Sequence, residues 1–329
     1  MGNKTLKQKA EEIQEKIKSL SEEYVLDPVK FIEMLKFQSK FTNYSSRNTR
    51  IIQSQNPHAN FVASFKKLKD LGYNVKKGEK ALYVFAPIKN AAIEINGEIK
   101  SLKELSEEEK EQLKQLSKEE LEEKTYRSLH TRYKLVPVFD VSQTDISNED
   151  IPSIYNYNSL ANYSVEDKLD VMYRFLDSKN IDVNFESLEI GLYGYAKPDN
   201  DIIFISNRLD EVGELSTLFH ELGHVLFHKK GELKSMGLET VKNKKEIIEI
   251  QADTLDIMLS EYFDIPITEK RKDHLFGNML KVTSEDLKKY IFPIIDIATK
   301  ELSSIKEIRQ EIEQEQQVKL EDKSYEIDI

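Results

Sequence analysis

An α+β fold in two units, a small mixed α/β unit followed by a mainly helical one with a small sheet, follows from three observations. Helical periodicity alternates with short apolar runs up to about residue 144, and helical patterns dominate from Ser164 onward. The chain's 329 residues exceed one typical domain. Charge is also segregated: Pro28 to Asn90 holds twelve Lys or Arg against three Asp or Glu, in a chain whose formal net charge is -11.

The elements read in order as follows. Leu6, Ile13, Ile17 and Leu20 recur at helical spacing over residues 5–25, and Asp27-Pro28 ends that helix. A second helix runs from Val29 to Phe41, and Asn43 to Asn48 reads as a polar loop. A short helix between Asn60 and Leu71 is closed by Gly72, where a left-handed cap is required. Tyr73–Val75, the turn Lys76-Lys77-Gly78-Glu79 and the apolar run Ala81–Ala86 predict a hairpin. A helical hairpin inserted at about 91–124 is predicted from a charged run with leucines at helical intervals and capping boxes at Ser106/Glu109 and Ser117/Glu120. Tyr133–Val141 resumes as a third strand, and 145–163 reads as a linker.

In the second unit, 164–300, Ser164 and Asp167 open a helix to Ser178. Asp201–Ser206 is a strand expected to form a substrate-lining edge. Helices are predicted over Glu211–Lys229 and Glu246–Glu261, and 301–329 as a charged helix fraying into a tail.

Composition excludes several classes. No run approaches the roughly 18 apolar residues a membrane span needs, and the first residues lack a secretory apolar core. Gly2 is not followed by Ser or Thr at position 6, which is Leu6, so the myristoylation pattern fails. Without cysteine there is neither disulfide nor thiolate site, and a cytoplasmic location is expected. Any metal must sit on His and carboxylates.

The segment His220-Glu221-Leu222-Gly223-His224 supplies that possibility. Imidazoles at i and i+4 share one helix face a turn apart, where one Zn2+ can bridge them. Glu221, beside His220, is the candidate catalytic residue: it would take a proton from the attacking water and give it to the leaving amine. A third ligand is needed. The metzincin pattern is excluded because its Gly and His positions are Phe227 and Lys230. His228 continues the series but lies about 12 Å along the axis from His220, too far to share an ion, and is assigned to orienting a ligand. Glu249 on the next helix is the preferred third ligand, with Glu246 as runner-up; the small Ala252 permits close helix approach, and Asp253 is placed to orient a ligand histidine. Asp256 is read as structural, and His58, His130 and His274 as isolated. Tyr193, Tyr195, Tyr262 and His274 all remain open as stabilisers of an oxyanion.

In the basic half, nine aromatics between Phe31 and Phe85 interleave with cations, a composition that suits single-stranded nucleic acid. The candidate DNA-binding residues are Tyr44, Arg47, Asn48, Arg50, Lys66, Lys67, Lys76, Lys77 and Lys80.

Asn43–Asn48, Phe65–Gly72, Val75–Lys80 and Val138–Thr144 together resemble the N-terminal domain of ArdC-type antirestriction proteins, which are carried by conjugative plasmids and related mobile elements. His220–His224 with Glu249-x-x-Ala252-Asp253 resembles the ImmA/IrrE-type metallopeptidases, and that likeness implies Glu249 as third ligand. The resemblance spans most of residues 28–300. It implies a single-stranded-DNA-binding domain followed by a zincin-like metallopeptidase domain. Two departures stand out: the acidic insertion, and Phe61–Phe65 where the family commonly has Trp.

The expected function is thus a DNA-binding, zinc-dependent metallopeptidase-like protein protecting incoming DNA of a mobile element, with a peptide or protein as possible substrate. Rival readings are a protease that cleaves a DNA-bound repressor, a DNA-binding protein with a purely structural metal, and an interaction protein whose acidic insertion recruits a partner.

Overall fold

A computed structural model describes residues 5–88, 91–95, 98–101, 105–116, 125–127, 132–147 and 159–327. Helix α1 (Leu6–Leu26) starts at a capping box between Thr5 and Gln8 and stops at Asp27. The Asp27 side chain then accepts from Val29 N and Lys30 N to open α2 (Pro28–Lys40), with Pro28 in the first turn where its missing N–H costs nothing. Helix α3 (Ser46–Gln55) corrects the loop expected at Asn43–Asn48: Ser45 caps it, and Thr49, Ile51 and Ile52 are buried. With apolar residues at only two of its ten positions, α3 carried no periodic signal.

After the short strand β1 (Val62–Ala63), Ser64 caps α4 (Phe65–Asp70), and Gly72 adopts a left-handed φ of +91° as expected. Strand β2 (Leu82–Ile88) does not form the expected hairpin with Tyr73–Val75, since Val75 bridges Thr144 instead. One edge of β2 is taken by a later strand. The other is closed by side chains of α3. Asn48 Nδ2 donates to Phe85 O at 2.8 Å and its Oδ1 accepts from Phe85 N at 2.9 Å. Gln55 does the same for Tyr83 O and Tyr83 N at 2.9 and 3.0 Å. Two amides seven residues apart thus satisfy a strand edge that would otherwise need a partner.

The insertion is only partly helical. β3 (Ala91–Ile95) and β4 (Glu98–Ser101) pair with each other, and β5 (Thr125–Arg127) joins β3 on its other side. Helix α5 (Glu107–Lys114) begins at the expected Ser106–Glu109 capping box, while Ser117 and Glu120 lie outside the described residues. Ile93, Ile95 and Leu105 form a small core of their own. The charged leucine run obscured these strands. The alternation of Ile93 and Ile95 before an Asn96-Gly97 pair was the available cue. Strand β6 (Arg132–Asp140) then lies between β1 and β2, antiparallel to both, with Val138 opposite Leu82 and Val136 opposite Val84 on the core side.

In the second unit, Ser164 caps α6 (Val165–Ser178), followed by β7 (Asp182–Glu186), β8 (Gly194–Lys197) and β9 (Ile202–Ser206) in the order β7-β9-β8. Ile202–Ser206 is therefore the central strand, not the expected edge. Four of its five residues are buried, and β8 is the edge that lies on the next helix. Helices α7 (Glu211–Phe227), α8 (Lys230–Ser235), α9 (Lys244–Phe263), α10 (Glu269–Met279), α11 (Ser284–Tyr290) and α12 (Phe292–Ile327) complete the chain. No helix among the described residues is long and apolar enough to cross a membrane.

The largest apolar core runs from Tyr24 to Ile312 and takes Phe31, Met34 and Leu35 of α2 together with α6, α7, α9 and α12. Each such side chain contributes about 1.5–3 kcal/mol of burial. Polar ties reinforce the seam: Ser46 N donates to Asp296 Oδ1 at 2.7 Å, Lys36 pairs with Glu261 at 3.1 Å, and buried Lys306 donates to Ser39 O at 3.1 Å. The expected charged helix from residue 301 continues α12, and its first turns belong to the interior, with Leu302, Ile305 and Ile312 buried, while 313–318 are exposed.

Candidate metal centre

Asp210 caps α7 by accepting from Gly213 N at 2.8 Å. Leu215, Leu218, Phe219, Leu222 and Val225 all face the core, and this fixes the rotation of the helix. His220 and His224, one turn apart, are thereby turned toward α9. Gly223 decides how near α9 can come: a Cβ there would stand 2.7 Å from Ala252 Cα. Glycine meeting alanine brings the two backbones close enough for Glu249 and Asp253 to reach the imidazoles.

His220 Nε2 and His224 Nε2 are 3.2 Å apart, and Glu249 Oε2 lies 3.5 Å from the first and 3.8 Å from the second. Two bonds of about 2.05 Å meeting at a tetrahedral angle separate their ligand atoms by about 3.3 Å. The three atoms match that spacing, and these residues form a group able to hold a divalent metal ion. Electrostatics agree. Burial opposes charge on His220, but Asp253 and Glu249 outweigh it and lift its pKa to about 10, whereas burial and the His220 charge bring His224 down to about 4.

Around these three residues lie their supports. Asp253 Oδ1 is 3.0 Å from His220 Nδ1, off the N–H line, so both atoms lack an aligned hydrogen bond. Despite burial its carboxyl is held at about 2 by His220 and His274. For His224, an Nε2 free to bind metal puts the proton on Nδ1, which faces His228 Nδ1 at 2.9 Å. That makes His228 Nε2 the donor to Gln251 Oε1 at 2.9 Å, and Gln251 Nε2 in turn donates to Tyr290 O at 2.8 Å. His228 is thus absent from the group that could hold the ion and links His224 through Gln251 to Tyr290 O. Glu246 stands apart from the group, 3.9 Å from Lys281. Asp256 is buried against Arg271 at 2.8 Å, and with His220 and Asp253 it makes a second group whose ligand atoms lie close enough together to hold a metal ion.

Two residues on α10 stand closer to the group than the sequence suggests: Arg271 has no assigned role there, and His274 is only one of four oxyanion candidates. His274, taken as isolated, joins Asp253 Oδ2 at 3.0 Å and stands 3.7 Å from Glu249 Oε2. Arg271 spans Asp256 and Asp253. Their only cue was a run of cations on an amphipathic helix, which is ordinarily a solvated face.

A cleft of about 660 Å³ opens beside the ligands, lined by Tyr193, Gly194, Val212, His220, Glu221 and Arg271 among others. Gly194 lets β8 lie on α7, since a Cβ there would meet Thr217 Cγ2 at 2.5 Å. Burial raises the pKa of Glu221 from its ordinary value. Of the four oxyanion candidates, Tyr193 and His274 line the cleft; Tyr262 is wholly buried elsewhere and Tyr195 reaches Glu186 across the sheet.

The expected DNA-binding residues divide in two. Arg47, Lys66, Lys67, Lys76, Lys77 and Lys80 are exposed. Tyr44, Asn48 and Arg50 are a correction, because their polar atoms are committed internally. Tyr44 donates to Val62 O, Asn48 closes the β2 edge, and Arg50, 7% exposed, bonds Ser46 O and Ser21 Oγ while lying 4.3 Å over the Phe292 ring. His58 is on the surface, and His130 lies outside the described residues.

Fold and site together define a class: a helical domain with an HExxH metal group, preceded by a small mixed domain sharing its core. Residues 3–139 match the N-terminal domain of anti-restriction factor ArdC, and residues 166–290 match the IrrE N-terminal-like domain of the M78 peptidases. The chain is ArdC-like. An uncharacterized protein of Bacillus anthracis is 28% identical over 281 residues, 80% of this chain but 45% of that protein, so the chain spans less than half of that relative's length. Crystal structures of the antirestriction protein ArdC from the R388 plasmid align over 82% of this chain and 86% of theirs in the metal-free form, with TM-score 0.47 and 18% identity. The Mn(II)-bound form gives 84% and 90%, TM-score 0.44 and 16% identity.

Proposed function

We propose that this chain is a zinc-dependent, metallopeptidase-like protein that also binds single-stranded DNA and serves a mobile genetic element in the cytoplasm, in antirestriction or protection of incoming DNA. The observation that carries the chemical part is the convergence of His220 Nε2, His224 Nε2 and Glu249 Oε2 beside an open cleft. A purely structural metal is ordinarily enclosed by four protein ligands, whereas three ligands next to a cleft leave a position for substrate. Two imidazoles among three ligands favour zinc over metals that prefer oxygen. An ion held there would polarise a scissile carbonyl and acidify water.

The chain's own residues supply the rest. Glu221 accepts the proton of the attacking water and returns it to the leaving nitrogen. Asp253 and His228 hold the two imidazoles in orientation. The edge of β8 offers backbone groups to an extended peptide. DNA binding is supported by the exposed cations of α4 and the Lys76–Lys80 turn, and by the match to the ArdC N-terminal domain.

The test compares zinc-loaded protein with Glu221→Gln on whole host and element proteomes, reading newly formed peptide N-termini. New termini that vanish in Glu221→Gln at equal zinc content are expected. Their absence in both samples would leave the metal with a structural role.

A further inference from the structure

The β1-β6-β2 sheet, one of two three-stranded sheets in the first unit, packs on its core with one face. On the central strand β6, Val136 and Val138 point inward to meet Leu82 and Val84. Alternation puts Tyr133, Leu135, Pro137 and Phe139 on the opposite side. The register sets Pro87 beside Tyr133, Phe85 beside Leu135 and Tyr83 beside Pro137, all on that same outer side. Phe65, entering from α4, meets Phe139 edge-on with ring centroids 6.3 Å apart.

An outward face of an antiparallel sheet is normally polar. This one is a belt of rings and prolines. Tyr133 is 59% exposed and Phe65 54% exposed, values that a folding role does not require. Cations frame the belt: Lys9 Nζ lies 4.4 Å over the Tyr83 ring, the Arg47 guanidinium 5.0 Å over Phe85, and Lys66 and Lys67 are exposed next to Phe65 on α4.

We propose that this outer sheet face is a base-stacking surface for single-stranded nucleic acid, with Tyr133, Phe139 and Phe65 as the platforms and Lys9, Arg47, Lys66 and Lys67 as the phosphate contacts. The inference rests on the DNA reading above and moves the contact from Tyr44, Asn48 and Arg50, whose polar groups are used internally, to the outer sheet face, with Arg47 kept at its margin. Charge complementarity selects the occupant. Bare apolar rings alone would suit a protein partner, but rings interleaved with cations that have no acidic partner among the described residues suit a chain whose bases stack while its phosphates are neutralised. From Tyr133 to Phe139 the strand runs about 20 Å, enough for several successive bases.

The experiment titrates the full-length protein with a fluorescein-labelled oligothymidine, reading anisotropy at several salt concentrations. Tyr133→Ala and Phe65→Ala are each expected to weaken binding about ten- to a hundredfold without altering the salt slope. Lys66→Gln or Lys67→Gln should instead lower that slope by about 0.7. Tyr133→Phe should restore affinity and Tyr133→Leu should not, which separates ring stacking from apolar packing; thermal melts confirm that the variants fold. Wild-type protein that binds the oligonucleotide while Tyr133→Ala and Phe65→Ala bind equally well overturns the stacking face and leaves the DNA reading standing. Wild-type protein that binds no single strand at any salt concentration removes both.

Discussion

The metal group and the outer sheet face are built from the chain in opposite ways. The first gathers His220, His224, Glu249 and Asp253 from two neighbouring helices, by i,i+4 spacing on each and one close crossing between them. The second gathers Phe65, Tyr83, Phe85, Tyr133 and Phe139 across an insertion, by strand register. Local helical spacing writes a site into adjacent residues, whereas a sheet face disperses it. The same contrast governs the charges: in the helical half they converge on one point, and in the first unit some are ties and others are free.

That contrast can be tested by substitution, beginning with the largest effect. His220→Ala or Glu249→Ala should lower metal affinity by more than about a hundredfold, beyond what loss of an orienting partner costs. Metal analysis of purified protein is the check, and a variant that stays fully loaded would break the convergence on one point. Next comes the helix crossing itself. Gly223→Val places a side chain against Ala252 backbone, and an overpacking cost of about 3 kcal/mol should appear in thermal or denaturant unfolding, accompanied by weaker metal binding.

Lys306 sharpens the comparison from the seam between the units. Burial, with Arg309 nearby, lowers its pKa from 10.5 to about 7. Below pH 7 both folded and unfolded chains carry this proton, and the cost of burying the charge is fully present. Between pH 7 and 10.5 the unfolded chain keeps a proton that the folded chain has shed, so stability rises with pH. Lys306→Met should therefore stabilise the protein at pH 6 by about 2 kcal/mol, the loss of its bond to Ser39 O included, and the gain should fade by pH 10. Melting curves that run parallel at all pH values would count against it. The smallest effect separates ties from free cations: Arg50→Ala should cost about 1–1.5 kcal/mol of stability without changing the salt dependence of oligonucleotide binding, and Lys66→Ala should do the reverse.

Much of the helical half was legible because its signals are short in range. The cap at Ser164 there, like the break at Asp27-Pro28 in the first unit, involves only three or four residues, whereas the caps at Ser45 and Ser64 stand before helices whose polar composition hides them. The His220–His224 pair with Glu249 was readable for the same reason, helped by Ala252; its counterpart Gly223 sits inside the motif and was not singled out. What escaped depends on packing. His274 and Arg271 join the site only because α10 folds back on α9, and nothing in their own surroundings marks them. Strand pairing failed likewise. The partner of β2 lies some fifty residues away, and its other edge is closed by amides of a helix that composition reads as loop. Tyr44, Asn48 and Arg50 looked like ligand-binding residues because polar side chains spent on the protein's own backbone have the same composition as polar side chains offered to a partner.

Because α2 lies within the same interior as the helix bearing Glu249, the first unit cannot behave as a tether hung on an independent catalyst. Severing the chain between the two matched regions would strip Phe31, Met34 and Leu35 from their sockets and leave a greasy trough along the back of that helix. Whatever grips the first unit therefore pulls on a beam that ends at the ligands.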